Sequence, residues 1–189
     1  MKALFHLAKE IQDVLLTENW HFCFIGGIAL QRWGEPRLTL DVDISLLTGF
    51  GNEDYFVDKL CSRFSSRIEN AEEFAFQNRV LLLKSDRNIP IDIALAGLPF
   101  EEDAIERATD FLFLKSLSLK TCSAEDLIIY KAFADRRKDW ADVESILMRQ
   151  NNKIDIEYIN KHLIPLVELK ENPQILTTLK EIQSQFKEE

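Results

Sequence analysis

The stretch Leu38-Thr39-Leu40-Asp41-Val42-Asp43-Ile44-Ser45-Leu46 decides how this chain is read. Every even position is apolar and every odd one polar, the period-2 pattern of a strand that buries one face. The pattern predicts a strand over 38–46 whose polar face carries Thr39, Asp41, Asp43 and Ser45. Aspartate is depleted in strands, so two of them on one short face call for a reason. Residues i and i+2 stand roughly 7 Å apart on one side of a strand. The two carboxylates can therefore lean together and grip divalent cations. Upstream, His21-Phe22-Cys23-Phe24-Ile25 reads as another strand, ended by a Gly26-Gly27 turn and followed by a short helix over 28–33 that Gly34 stops. A strand, a glycine turn and a helix N-terminus make a phosphate cradle, because free backbone N–H groups and the helix dipole point at one spot.

Asp92 supplies a third acid. In Ile89-Pro90-Ile91-Asp92-Ile93-Ala94-Leu95 it is the single charge on an apolar strand, on the face it shares with Ala94. A charge there has to be paired, solvated or metal-bound. Arg37 and Thr39 precede Asp41 at i−4 and i−2. Thr39 shares the polar face, and the planar guanidinium of Arg37 suits a triphosphate. Each of these residues also has a plainer reading. The aspartates serve as the wet side of a half-buried strand, the glycines end a strand tightly, and Arg37 pairs with one of the two acids.

The residues Gly26-Gly27, then Arg37-x-Thr39-x-Asp41-x-Asp43, resemble the signature of the DNA polymerase β-like nucleotidyltransferase superfamily, and within it the AbiEii-type toxin nucleotidyltransferases. That resemblance implies an α+β fold, a nucleotidyltransferase-type mixed sheet flanked by helices and followed by a C-terminal helical region. It implies that Asp41, Asp43 and Asp92 hold Mg²⁺, two ions in all, that Asp92 acts as or near the general base, and that Gly26 and Gly27 hold the phosphates of an NTP. Many members carry Ser after the glycine; here the residue is Ile28, which leaves only backbone N–H groups. A Lys and an Asp on a later helix form the third and fourth motifs of the AbiEii-like branch. Lys131 and Asp139 stand in that context, as ligands of the nucleotide. The implied reaction moves an NMP from an NTP to a hydroxyl acceptor, a tRNA end or a protein, by a toxin of a toxin–antitoxin or phage-defence pair with a cognate antitoxin. The alternatives are a small-molecule transferase of aminoglycoside type, or an idle nucleotidyltransferase fold serving as a binding or antitoxin module.

Composition bounds these readings. At 189 residues the chain is one domain, or a domain with a helical extension, large enough to bury ~70% of its unfolded surface. It is 46% hydrophobic and 29% charged, with six Gly and five Pro, ordinary for a globular protein. No apolar run approaches the length of a membrane span. The N-terminus lacks a signal peptide's apolar core, and Cys23, Cys61 and Cys122 form neither a disulfide framework nor a zinc spacing. A cytoplasmic setting follows. The net charge of −9 excludes a general nucleic-acid-binding protein with a global basic footprint, though not an enzyme with one local patch. His6, His21 and His162 show no ligand spacing.

Periodicity predicts a first helix over 3–16, from Leu4, Leu7, Ile11 and Leu15. A helix over 54–64, a hairpin of strands at 80–83 and 89–96 turning on Asp86-Arg87-Asn88, a helix over 101–108 and extended material over 111–121 follow. At Ser123 the character changes: Ser123-Ala124-Glu125-Asp126 is an N-cap with acids in the first turn. Helices are expected over 124–136, 139–149, 155–170 and 174–187, broken near Asn151-Asn152 and Asn172-Pro173. The division is thus a nucleotidyltransferase core over 1–122 and a helical region over 123–189. Lys131 sits near the apolar side of its helix, where a lysine ordinarily snorkels to water, and Arg136-Arg137-Lys138 is the densest positive cluster of an acidic chain.

Overall fold

The computed structural model describes residues 1–150 and 153–186. The chain divides into two compact units. The first comprises Met1–Ile28 and Leu38–Cys122, the second Ala29–Arg37 and Ser123–Glu189. The expected break near Asn151-Asn152, and the expected helix end at 187, fall outside the described residues.

The first unit holds a seven-stranded mixed sheet among the described residues, in the order β3-β4-β5-β2-β1-β7-β6. Its strands are β1 (Phe22–Phe24), β2 (Val42–Leu47), β3 (Ser65–Ser66), β4 (Val80–Lys84), β5 (Pro90–Ala96), β6 (Thr109–Leu114) and β7 (Leu117–Thr121). Helices α1 (Lys2–Thr17), α3 (Glu53–Cys61), α4 (Ala71–Asn78) and α5 (Pro99–Glu106) belong to it. α2 (Gly26–Trp33) begins in this unit and crosses into the second after Ile28. The core is built from Leu4, Leu7, Ile11 and Leu15 of α1, from Phe22 and Phe24, from Val42, Ile44 and Leu46, and from Ile91, Ile93 and Leu95. Alternation does the work: β5 buries Ile91, Ile93 and Leu95 and leaves Asp92 half-buried on its other face.

β2 is the strand that places chemistry. It runs antiparallel to β1, with Phe24 opposite Ile44, and parallel to β5, with Val42 opposite Ile91 and Asp43 opposite Asp92. The strand begins at Val42 and not at Leu38, which corrects the period-2 reading of 38–46. Leu38 and Leu40 are 67% and 69% exposed. The reason is the ladder: β5 begins at Pro90 and β1 ends at Phe24, where the chain turns into α2. A stretch with no strand on either side has no sheet to bury its apolar face against.

Two further differences are local. Gly26 and Gly27 are the first residues of α2 itself, not a turn before it. The helix expected over 54–64 closes at Cys61 and is followed by β3 and α4. α4 carries no apolar stripe, since Ala71 and Ala75 are its buried residues, and so it left no helical signature in the sequence.

The second unit is helical: α6 (Ala124–Ala134), α7 (Arg137–Gln150), α8 (Ile156–Lys170) and α9 (Gln174–Ser184) follow the last part of α2. α6 is central, touching α7, α8 and α9, and Leu127, Ile128, Ile129 and Ala132 are all fully buried. A helix apolar on most sides belongs in the middle of a bundle. Its N-terminus is closed by the expected N-cap at Ser123, which forms a capping box with Asp126. The Ser123 Oγ accepts from Asp126 N at 3.1 Å and an Asp126 carboxylate oxygen accepts from Ser123 N at 3.2 Å.

Candidate functional site

In the first unit, register brings two acids together. Asp43 and Asp92 are paired residues on adjacent parallel strands, so their side chains leave the same face side by side. Asp41 lies just before β2, near enough that its charge acts on Asp92. The Asp92 carboxyl is pushed above the ordinary aspartate range, first by burial and then by Asp41, with the Arg67 guanidinium opposing both. Arg67 Nη2 stands 2.8 Å from Asp92 Oδ1. That approach lacks hydrogen-bond directionality, and the buried Oδ1 receives no hydrogen bond. Asp41 is held differently: the buried Thr39 hydroxyl donates to its Oδ1 at 2.8 Å.

The glycines explain themselves at this point. Gly26 has φ +56°, and a Cβ there would fall on the Asp43 carboxylate. A Cβ on Gly27 would fall on the Thr39 hydroxyl. The Gly27 N–H is directed at Asp43 Oδ2, at 3.3 Å. Backbone and acid thus approach as closely as they do because both positions lack side chains. Ile28 is fully buried in the core of the unit. The position after the glycines, where the resemblance implied a hydroxyl, is therefore given to core packing.

The second unit gathers the remaining charged residues singled out in the sequence. Arg37 donates from Nε to Asp142 Oδ1 and from Nη2 to Asp142 Oδ2, both at 2.8 Å. Its partner is therefore an acid of α7, neither of the two aspartates beside it in sequence. Lys131 does not snorkel. It is 6% exposed and lies 3.0 Å from Asp139 Oδ1 and 2.8 Å from Asp142 Oδ2. Arg136 completes the group, with Nε 2.5 Å from Asp139 Oδ2. Three cations bracket two buried carboxylates. Burial works to raise the Asp139 and Asp142 carboxyls, but hydrogen bonds from Arg136 and Lys131 to the first, and from Arg37 and Lys131 to the second, hold both below the ordinary range.

A family model for the nucleotidyl transferase AbiEii toxin of type IV toxin–antitoxin systems matches residues 7–189. The chain belongs to this family. It is a nucleotidyltransferase. No curated protein matches it. Among solved structures, an antigenic nucleotidyltransferase-like protein from Paracoccidioides brasiliensis is 17% identical with a TM-score of 0.52, covering 94% of this chain and 92% of its own. The antibiotic-resistance factor ANT(2'')-Ia in complex with adenylyl-2''-tobramycin is 14% identical with a TM-score of 0.56, covering 90% and 99%. A solution structure of ANT(2'')-Ia gives 13% and 0.55, covering 90% and 94%. At such identities the likeness is one of fold.

Two residues of this AbiEii-family chain escaped the sequence reading. Asp142 carried a signal, standing one helical turn after Asp139 on the same side of α7. Arg67 carried none, since only the sheet brings it to Asp92. Among the described residues, no three His, Cys, Asp or Glu side chains form a group that could hold a metal ion as they stand. The donor set nonetheless suits one: the carboxylates of Asp41, Asp43 and Asp92 are the hard oxygen ligands Mg²⁺ takes, and Asp92 Oδ1 is a buried oxygen in an ion pair with Arg67 and without a well-formed hydrogen bond. No helix among the described residues is long and apolar enough to cross a membrane.

Proposed function

We propose that this AbiEii-family chain transfers an NMP from an NTP to a hydroxyl of a tRNA end or a protein, with Mg²⁺, as the toxin of a toxin–antitoxin or phage-defence pair acting in the cytoplasm against a cognate antitoxin. The pairing of Asp43 with Asp92 across β2 and β5, beside Asp41 and the side-chain-free start of α2, carries the reading. Asp41, Asp43 and Asp92 would hold two divalent ions. Such ions, when bound, activate the attacking oxygen and neutralise the leaving phosphates. Thr39 fixes the rotamer of Asp41 through its hydrogen bond. Gly26 and Gly27 offer the start of a helix to phosphate oxygens, with the Gly27 N–H shared with Asp43. Asp92, its proton affinity pushed upward by burial, is the acid suited to receive the acceptor's proton. Lys131 and Arg37, both held by Asp142 in the second unit, are cations that an exchange of carboxylate for phosphate would free.

The presence of all three acids favours an active enzyme over an idle fold. The test is to incubate the protein with each labelled NTP and Mg²⁺, together with total cell RNA, with lysate protein, or with an aminoglycoside. Label on RNA or protein that disappears with Asp43→Asn supports the reading. Label confined to the aminoglycoside replaces the acceptor with a small molecule, and no label with any NTP leaves a binding module.

A further inference from the structure

Asp92 Oδ1 has a cation beside it, the Arg67 guanidinium, and the sheet shows how it gets there. Asp43 on β2 is in register with Asp92 on β5, which is in register with Leu82 on β4. Beyond Leu82, the N–H of Arg67 donates to its carbonyl at 3.0 Å, extending the β3–β4 ladder by one residue. The four residues lie in one row across four neighbouring strands. Rows of this kind share a face, and strands are spaced by ~4.8 Å, so the Arg67 side chain has to span the width of β4 to bring its guanidinium to Asp92. An arginine is long enough to do this and a lysine ends in a single point charge. The contact it makes is close without being well directed, 2.8 Å from Nη2 to Oδ1 with no hydrogen bond formed. Both side chains keep about 30% of their surface in water, 31% for Arg67 and 30% for Asp92. This is an ion pair placed for exchange, in contrast to the bidentate Arg37–Asp142 pair.

We propose that Arg67 is a resident counter-ion of the acid site. It neutralises Asp92 until a divalent cation takes the same oxygen, and the guanidinium so released then faces an anionic group of the nucleotide from the β3–β4 side of the row. The proposal rests on the reading of Asp41, Asp43 and Asp92 as the metal ligands. Arg67 touches no reacting atom in its resting place and acts through Asp92, which makes it a positioning residue for the metal.

Mn²⁺ titration of the nucleotide-free protein, followed by water-proton relaxation at low ionic strength, tests this. Arg67→Gln should bind Mn²⁺ about two- to fivefold more tightly than the parent, the scale of a partly exposed ion pair. Arg67→Lys should fall between, and serves as the variant of record if the glutamine protein folds poorly. In an Asp92→Asn background, Arg67→Gln should have no effect on Mn²⁺ affinity, because the contested oxygen has lost its charge. With Mn²⁺ saturating, Arg67→Gln should weaken binding of a non-hydrolysable NTP. Unchanged or weaker Mn²⁺ binding by Arg67→Gln, while Asp92→Asn lowers affinity in the parent, overturns the role of Arg67 alone. Equal tightening in both backgrounds also overturns it, since a general field would then explain the effect. Mn²⁺ binding that is indifferent to Asp92→Asn overturns the metal-site reading, and the proposal with it.

Discussion

Asp92 is a carboxylate that the fold holds against its preference. Its proton affinity in the folded protein is raised, by burial first and by Asp41 beside it. A raised value means that folding favours the protonated form: this contribution to stability is present below the ordinary aspartate value of 3.8 and is lost as pH rises through the folded value. At neutral pH the ionised acid therefore costs stability, as clustered like charges do. Asp92→Asn should raise the melting temperature of the metal-free protein at pH 7, with the gain shrinking as pH falls through the raised folded value and gone below the ordinary value of 3.8, while abolishing nucleotidyl transfer. A lowered melting temperature at pH 7 would make Asp92 a structural acid. The glycines give a second prediction at this scale. Gly26→Ala places a side chain at φ +56°, which costs about 1–2 kcal/mol, and drives its Cβ into Asp43. Urea melts should show at least that loss, together with loss of transfer. Gly27→Ala should spare the backbone and displace Thr39, and with it the hydrogen bond that orients Asp41. Its signature would be a fall in activity larger than its fall in stability.

Among elements, the turn from α6 into α7 is tied from two sides. Asp135 takes a left-handed conformation there, and its carboxylate accepts from Trp140 Nε1 at 2.8 Å and from Asn172 Nδ2 at 2.9 Å. Lys131 on α6 is clamped between Asp139 and Asp142 on α7. Removing one member of a buried ion pair costs about 3–5 kcal/mol, most of it the penalty of stranding the partner. Lys131→Met should show a loss on that scale in urea melts at pH 7, cushioned where Arg37 and Arg136 still cover the two aspartates. The pH dependence follows from the depressed Asp139 and Asp142 carboxyls. Their stabilising contribution is present above the ordinary value of 3.8 and is lost as pH falls through the lower folded values. The parent should thus lose stability steeply below about pH 4, and Lys131→Met should show a shallower acid limb. Identical acid limbs in the two proteins would mean that Lys131 does not hold these aspartates ionised.

For the molecule as a whole, a bound nucleotide should be visible as stability. NTP with Mg²⁺ at a hundredfold excess over Kd stabilises by ~2.7 kcal/mol if only the folded state binds, and EDTA should remove most of that gain. A melting temperature indifferent to all four NTPs would favour an idle fold. A chain of net charge −9 that labels RNA has to meet it through a local surface, and Arg136, Arg137 and Lys138 are exposed. RNA labelling should weaken only modestly with salt, each neutralised phosphate adding a slope of roughly −0.7 to −0.9. It should fall in Arg136→Ala/Arg137→Ala with NTP binding retained. The sequence by itself determined the things that depend on local pattern. The apolar alternation of β5 fixed which side of that strand Asp92 takes, the capping box at Ser123 fixed where the helices begin, and Asp41 and Asp43 near a glycine pair pointed to nucleotidyl transfer. Only tertiary structure decided what depends on partners distant in sequence. β2 starts at Val42 because β1 has already ended and β5 begins only one residue before the partner of Val42, which sends Leu38 and Leu40 to water. Arg37 and Thr39, two residues apart, enter different units, one to grip Asp142 and the other to orient Asp41. Arg67 reaches Asp92 because three strands set them in one row. A period reports which face a residue takes; register and burial report whom it meets there, and pairing across a sheet or between helices is set by those long-range contacts.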